Sequence, residues 1–141
     1  MIGGPTAAKK TKLAFEIQTK VPSIIINADS MQVYNELRTL TNVPSKREIE
    51  KYACHLFEFV NYPEKCNVGF WFKNVLRILS ETKGKIPIFV GGTGLYLESL
   101  FGTISPIPEV PLLIKNKIEI LHKKYGNSFF YQKLQKVDKD Y

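Results

Sequence analysis

Gly4-Pro5-Thr6-Ala7-Ala8-Lys9-Lys10-Thr11 constrains this chain more than any other stretch. It follows the pattern G-x-x-x-x-G-K-[ST] except at one position, where Lys9 takes the slot of the second glycine. In such a loop consecutive backbone N–H groups curl into a nest for phosphate oxygens. The helix that follows adds the partial positive charge of its N-terminus. Lys10 places a point charge on the bridging or terminal oxygens, and the Thr11 hydroxyl suits Mg²⁺. Gly4, Pro5, Thr6, Ala7, Ala8, Lys9, Lys10 and Thr11 are therefore the candidate phosphate-binding residues, with Thr11 the candidate metal ligand. A Cβ at position 9 conflicts with the positive φ that glycine supplies there, at about 1–2 kcal/mol. The competing reading is a Lys- and Thr-rich helix start that matches by chance.

The rest of the chain alternates strands and helices. Residues 11–20 read as a helix, with Leu13, Ala14 and Ile17 on one face, stopped at Val21-Pro22. Ser23-Ile24-Ile25-Ile26-Asn27 reads as a strand buried on both faces, as in a parallel sheet, and 27–34 as the polar loop at its end. Leu56–Val60 is a second candidate strand. Phe72, Val75, Leu76 and Leu79 form a helical stripe over 69–83, with Gly84 as its C-cap. Ile86–Val90 is a strand running into Gly91-Gly92-Thr93-Gly94, after which Leu95 opens a helix. Ile114, Ile118 and Leu121 stripe a helix ending near Gly126, and Phe130, Leu134 and Val137 a last short one. Such alternation predicts a layered α/β fold whose ligands bind beyond the carboxyl ends of the strands.

Composition narrows the function classes. A chain of 141 residues, 44% hydrophobic and 23% charged, is long enough for one domain with a real core. Its net charge of +7 suits an anionic partner such as RNA or a polyphosphate. No apolar run approaches the length of a membrane span, and no secretion signal opens the chain. Cys54 and Cys66 lack metal-ligand spacing and read as reduced thiols of a cytoplasmic protein. His55 and His122 read as ordinary core or surface residues. Only Met1, Ile2 and Gly3 precede the loop, and the chain stops at Tyr141 without a closing element. The expectation is a single α/β domain over residues 1–141, truncated at both ends and all but lacking its first strand.

Three segments together are more specific than the loop alone. Gly4–Thr11, Ala28-Asp29-Ser30-Met31-Gln32-Val33-Tyr34 and Val90-Gly91-Gly92-Thr93-Gly94-Leu95-Tyr96 occur in that order. With Ser105-Pro106-Ile107-Pro108, they give a chain that resembles the N-terminal half of the tRNA dimethylallyltransferases, also called tRNA isopentenyl transferases. That resemblance implies a P-loop nucleoside-triphosphate-hydrolase-like fold with a parallel sheet. It implies transfer of a dimethylallyl group from dimethylallyl diphosphate to the exocyclic amine of the adenine beside the anticodon of tRNA, with diphosphate leaving. The implied catalytic residues are Asp29, Thr93 and Lys10. The implied tRNA contacts are Asp29, Ser30, Met31, Gln32, Thr93 and Lys115. Mg²⁺ is the implied cofactor, tRNA and dimethylallyl diphosphate the partners, and a monomer the expected state.

The chemistry agrees with those residue types. An exocyclic adenine amine is a poor nucleophile, so a base such as Asp29 should take its proton as the new bond forms. Diphosphate loss from an allylic carbon needs the growing charge stabilised, which Lys10 and the loop amides supply. Departures are Lys9 in the loop and Asn42-Val43 where many members have Ala-Lys between Thr41 and Pro44. Cys54 also stands before His55 where many have a second histidine. Two alternatives remain at this level: a P-loop nucleotide or small-molecule kinase, and an inactive remnant that binds phosphate or RNA without turnover.

Overall fold

The computed structural model describes residues 1–102 and 110–139. The Ser105–Pro108 stretch lies outside them. The described residues fall into two units, divided between Ser105 and Pro106.

The first unit is built on four parallel strands: β1 (Ile2–Gly3), β2 (Ser23–Asn27), β3 (Cys54–His55) and β4 (Ile86–Gly91). Their order is β1-β4-β2-β3, with Ile25 opposite Ile88 and Ile2 opposite Val90. The first strand is thus present, though two residues long, and sits at an edge. Side chains alternate across the sheet. Ile24, Ile26 and Phe89 face one core with Trp71, Val75, Ile78 and Tyr96. Ile25, Ile88 and Val90 face the other with Ala14. The helices on the first side are α4 (Val68–Glu81) and α5 (Gly94–Ser99), and on the second α1 (Lys10–Gln18) and α3 (Lys46–Lys51). All five residues of β2 are buried, as an apolar run in a doubly covered sheet should be. Each isoleucine buried in this way contributes about 1.5–3 kcal/mol.

Three expectations need correction. The strand expected over Leu56–Val60 lies instead at Cys54–His55, paired with Ile25 and Ile26. Leu56 (φ 61°) and Glu58 (φ 50°) are left-handed, which destroys the pleat, and Leu56, Phe57 and Val60 are all buried rather than alternating. The α4 stripe is centred on Trp71, Val75 and Ile78; Phe72 and Leu79 of the expected stripe pack half-buried against the same core, and Leu76 alone of the four is exposed, at 53%. The Trp71 indole N–H donates to the Asn27 carbonyl at 2.8 Å and fixes that orientation. Leu13 of the α1 stripe is largely exposed, because Ala14 is the residue pressed against the sheet.

The second unit contains α6 (Leu112–Val137), interrupted at Gly126, whose φ of 69° and ψ of −176° are not helical. The helix boundary expected there is that break. No residue of α6 is buried within the described residues. None of the described helices is long and apolar enough to cross a membrane.

Candidate active site

The phosphate loop leaves β1 and enters α1. Ala7 (φ 64°) and Lys9 (φ 55°, ψ 25°) are both left-handed, and Lys9 is the N-cap of α1. The loop therefore keeps the conformation that glycine normally supplies, with the strain carried by side-chain-bearing residues. Left-handed turns of this kind are what a nest of N–H groups requires. The Lys10 ammonium donates to the Pro5 carbonyl at 2.7 Å and so spans the loop.

The second segment leaves β2. Asn27, fully buried, uses its amide to bond the Asp29 and Leu56 carbonyls at 3.1 and 3.0 Å. Its Oδ1 accepts from the Asp29 N–H at 3.0 Å. Asp29 Oδ1 accepts from the Met31 N–H at 2.9 Å, an Asx turn that fixes the carboxylate. Of the implied tRNA contacts beside Asp29, Ser30 is hydrogen-bonded to Thr93 and Gln32 donates to the Thr41 carbonyl at 2.8 Å. Met31 is 53% exposed.

The third segment leaves β4 and locks onto the second. The Thr93 Oγ1 accepts from the Ser30 N–H at 2.9 Å and donates to the Ser30 hydroxyl at 3.1 Å. The Thr93 N–H donates to the Ala28 carbonyl at 3.2 Å. Backbone approaches so closely here that a Cβ on Gly91 would lie 2.1 Å from the Ala28 carbonyl carbon. A Cβ on Gly92 would lie 3.2 Å from the Gly4 carbonyl oxygen and 4.0 Å from Asp29 Oδ2. Phosphate loop, Asp29 and glycine turn therefore converge at one edge of the sheet, as its parallel topology dictates.

A cleft of about 930 Å³ opens at that edge. Thr6–Lys12 line one side, Asp29, Met31 and Gln32 another, and Leu40–Pro44 form a wall with Phe15 and Tyr52 beneath. The rings of Phe15 and Tyr52 stack at 4.1 Å. The wall is held by Arg38, paired with Glu58 and donating to the Pro44 carbonyl at 2.6 Å. Sequence reasoning missed Asn27, Arg38 and Glu58. A polar residue closing an apolar strand was the available signal for Asn27, and nothing local pairs 38 with 58. Lys115 lies on α6, in the second unit.

Thr11 and Asp29 place a hydroxyl and a carboxylate in the same cleft. Such hard oxygen donors fit Mg²⁺, which keeps several waters and takes its other ligands from phosphate. Among the described residues no group of three or more His, Cys, Asp or Glu side chains could hold a metal. Burial pushes the Cys54 thiol up to about 12 and raises Cys66 as well, which fits neither for nucleophilic work. Both cysteines are free.

The IPP transferase family model matches residues 32–141. The chain belongs to that family. A tRNA dimethylallyltransferase of Pelagibacter ubique is 45% identical over 98% of this chain and 45% of its own length. One of Rhizobium johnstonii is 37% identical over 98% and 47%. The chain thus spans about half the length of the curated relatives it matches. Among solved structures, a eukaryotic dimethylallyltransferase described as acting on tRNA superposes with a TM-score of 0.79 at 28% identity, covering 98% of this chain and 35% of that one. The tRNA isopentenylpyrophosphate transferase of Bacillus halodurans superposes at 0.69 and 26% identity, covering 98% and 46%. The IPP transferase fold, of the P-loop type expected from the loop, is therefore the fold of this chain.

Proposed function

We propose that this chain carries the donor-binding and base-bearing part of a tRNA dimethylallyltransferase. It would move a dimethylallyl group from dimethylallyl diphosphate to the exocyclic amine of the adenine next to the anticodon. The observation that carries this reading is that the phosphate loop, Asp29 and Gly91 line one cleft, while Thr93 hydrogen-bonds Ser30 in the Asp29 loop. The kinase alternative accounts for the loop and a catalytic aspartate but not for Asp29–Tyr34 together with Thr93–Tyr96, and the family match gives it no support.

In this reading the backbone N–H groups of residues 6–11 and the Lys10 ammonium hold the donor's diphosphate. They stabilise charge as the bond from its terminal oxygen to the allylic carbon breaks. The adenine amine attacks that carbon and passes a proton to Asp29. The Asx turn to Met31 leaves Asp29 Oδ2 beside Gly92 for this purpose. Thr93 holds Ser30 next to the base, and Ser30, Met31 and Gln32 frame the acceptor. Mg²⁺ held by Thr11 would neutralise the leaving diphosphate. Lys115 and its neighbouring lysines would meet tRNA phosphates. A cytoplasmic monomer suits the free thiols and the acceptor.

Incubation with labelled dimethylallyl diphosphate and undermodified tRNA tests the reading. Label in tRNA supports it, whereas phosphoryl transfer from ATP without prenylation overturns it. A melting midpoint raised by diphosphate supports the loop assignment. Absence of any cooperative transition favours the inactive remnant.

A further inference from the structure

The wall at 40–44 lacks the support that a strand or long helix would give it. The helix before it, α2 (Arg38–Thr41), has four residues and ends on a left-handed Asn42. Side chains pin the segment at both ends: Gln32 bonds the Thr41 carbonyl, and Arg38 spans the Glu58 carboxylate and the Pro44 carbonyl. The Glu58 side chain is only 9% exposed, and among the described residues its buried Oε1 has no hydrogen-bond partner. A carboxylate in that position depends on Arg38, the one cation paired with it among the described residues, so removing Arg38 frees the wall and strands a buried charge. The wall presents Leu40, 83% exposed, and Val43 to the cleft whose other side is the phosphate loop. An exposed leucine facing a phosphate grip has an obvious counterpart in an alkenyl chain attached to a diphosphate.

We propose that Arg38 is a positioning residue that sets the 40–44 wall against the apolar end of an allylic diphosphate held by the loop. This rests on the donor assigned above. The quantity to measure is the ratio of affinities for dimethylallyl diphosphate and inorganic diphosphate, by calorimetry on the 141-residue chain. Arg38→Met should lower that ratio by about tenfold, about 1.4 kcal/mol. Arg38→Lys should restore it in part, since lysine can meet Glu58 but lacks the second arm for Pro44. An unchanged ratio in Arg38→Met overturns the proposal and leaves the donor assignment standing. Equal loss of both ligands also overturns it, because Arg38 would then be general scaffolding. If Arg38→Met does not fold, Leu40→Ser alters the wall without touching the ion pair and must lower the same ratio. Failure of the unaltered chain to bind either ligand removes the donor assignment, and this inference with it.

Discussion

At the scale of single residues, Lys9 is the sharpest departure from the loop pattern, and the structure shows how it is tolerated. Its backbone adopts the left-handed conformation anyway, at a cost of about 1–2 kcal/mol for a residue with a Cβ. Lys9→Gly should relieve that strain, raise the melting midpoint by a few degrees and tighten diphosphate binding. Lys9→Ala keeps the Cβ, loses the charge, and should weaken binding. Calorimetry on the two variants beside the parent separates strain from charge, and affinity unchanged from the parent in both would show that Lys9 matters through neither. Asp29 offers a second contrast. In Asp29→Asn the Oδ1 can still accept from the Met31 N–H, so the turn and diphosphate binding should survive. Prenyl transfer in a single-turnover assay should fall by about 10²-fold or more. Retention of rate would assign the proton to another group. These residues were legible because loops advertise themselves through glycine, lysine and aspartate. Arg38 and Glu58 were not, because neither has a role until two folded pieces meet.

At the scale of elements, strands β2 and β4 were readable to within a residue, since β-branched runs bounded by Pro, Asn and Gly have few other uses. The rotation of α4 was not readable. Both 72/75/76/79 and 71/75/78 are apolar at helical spacing, and only the tertiary bond from Trp71 to Asn27 selects between them. Trp71 also stacks on Tyr96 at 4.7 Å. Trp71→Phe should therefore cost about 1–3 kcal/mol, for the acceptor left without its donor. Loss of the Asn27 contact should also loosen the Asp29 turn. A urea midpoint unchanged from the parent would contradict this. Strand β3 contributes to the pH dependence on both flanks. Desolvation raises Cys54 to about 12, whereas an unfolded thiol ionises near about 8.5. Its contribution is whole below that lower value and is lost as pH climbs towards the upper one. Desolvation lowers the His55 pKa, so the unfolded imidazole takes its proton first below about pH 6.5. Stability should sag on both flanks, and urea titrations from acid to alkaline pH check each. The acid flank should flatten in His55→Gln.

At the scale of the whole molecule, charge is unevenly spread. Residues 110–139 hold seven lysines against Glu119 and Asp138. Tyr125 and Phe129 lie under Lys124 and Lys133 respectively. Lysines interleaved with aromatic rings suit a polyanion with stackable bases. If Lys115 meets a phosphate, Lys115→Ala should reduce the slope of log affinity for tRNA against log salt by about one. An unchanged slope would return that lysine to the solvated face. In the first unit, Gly91 packs against the Ala28 backbone with no room for a methyl group, and Thr93 ties the same two segments by hydrogen bonds. The piece that would frame the acceptor and the piece beside the phosphate loop thus behave as one casting. Libraries that randomise either segment alone to retune substrate choice will return mostly unfolded clones; productive variants must vary 28–32 and 90–94 together.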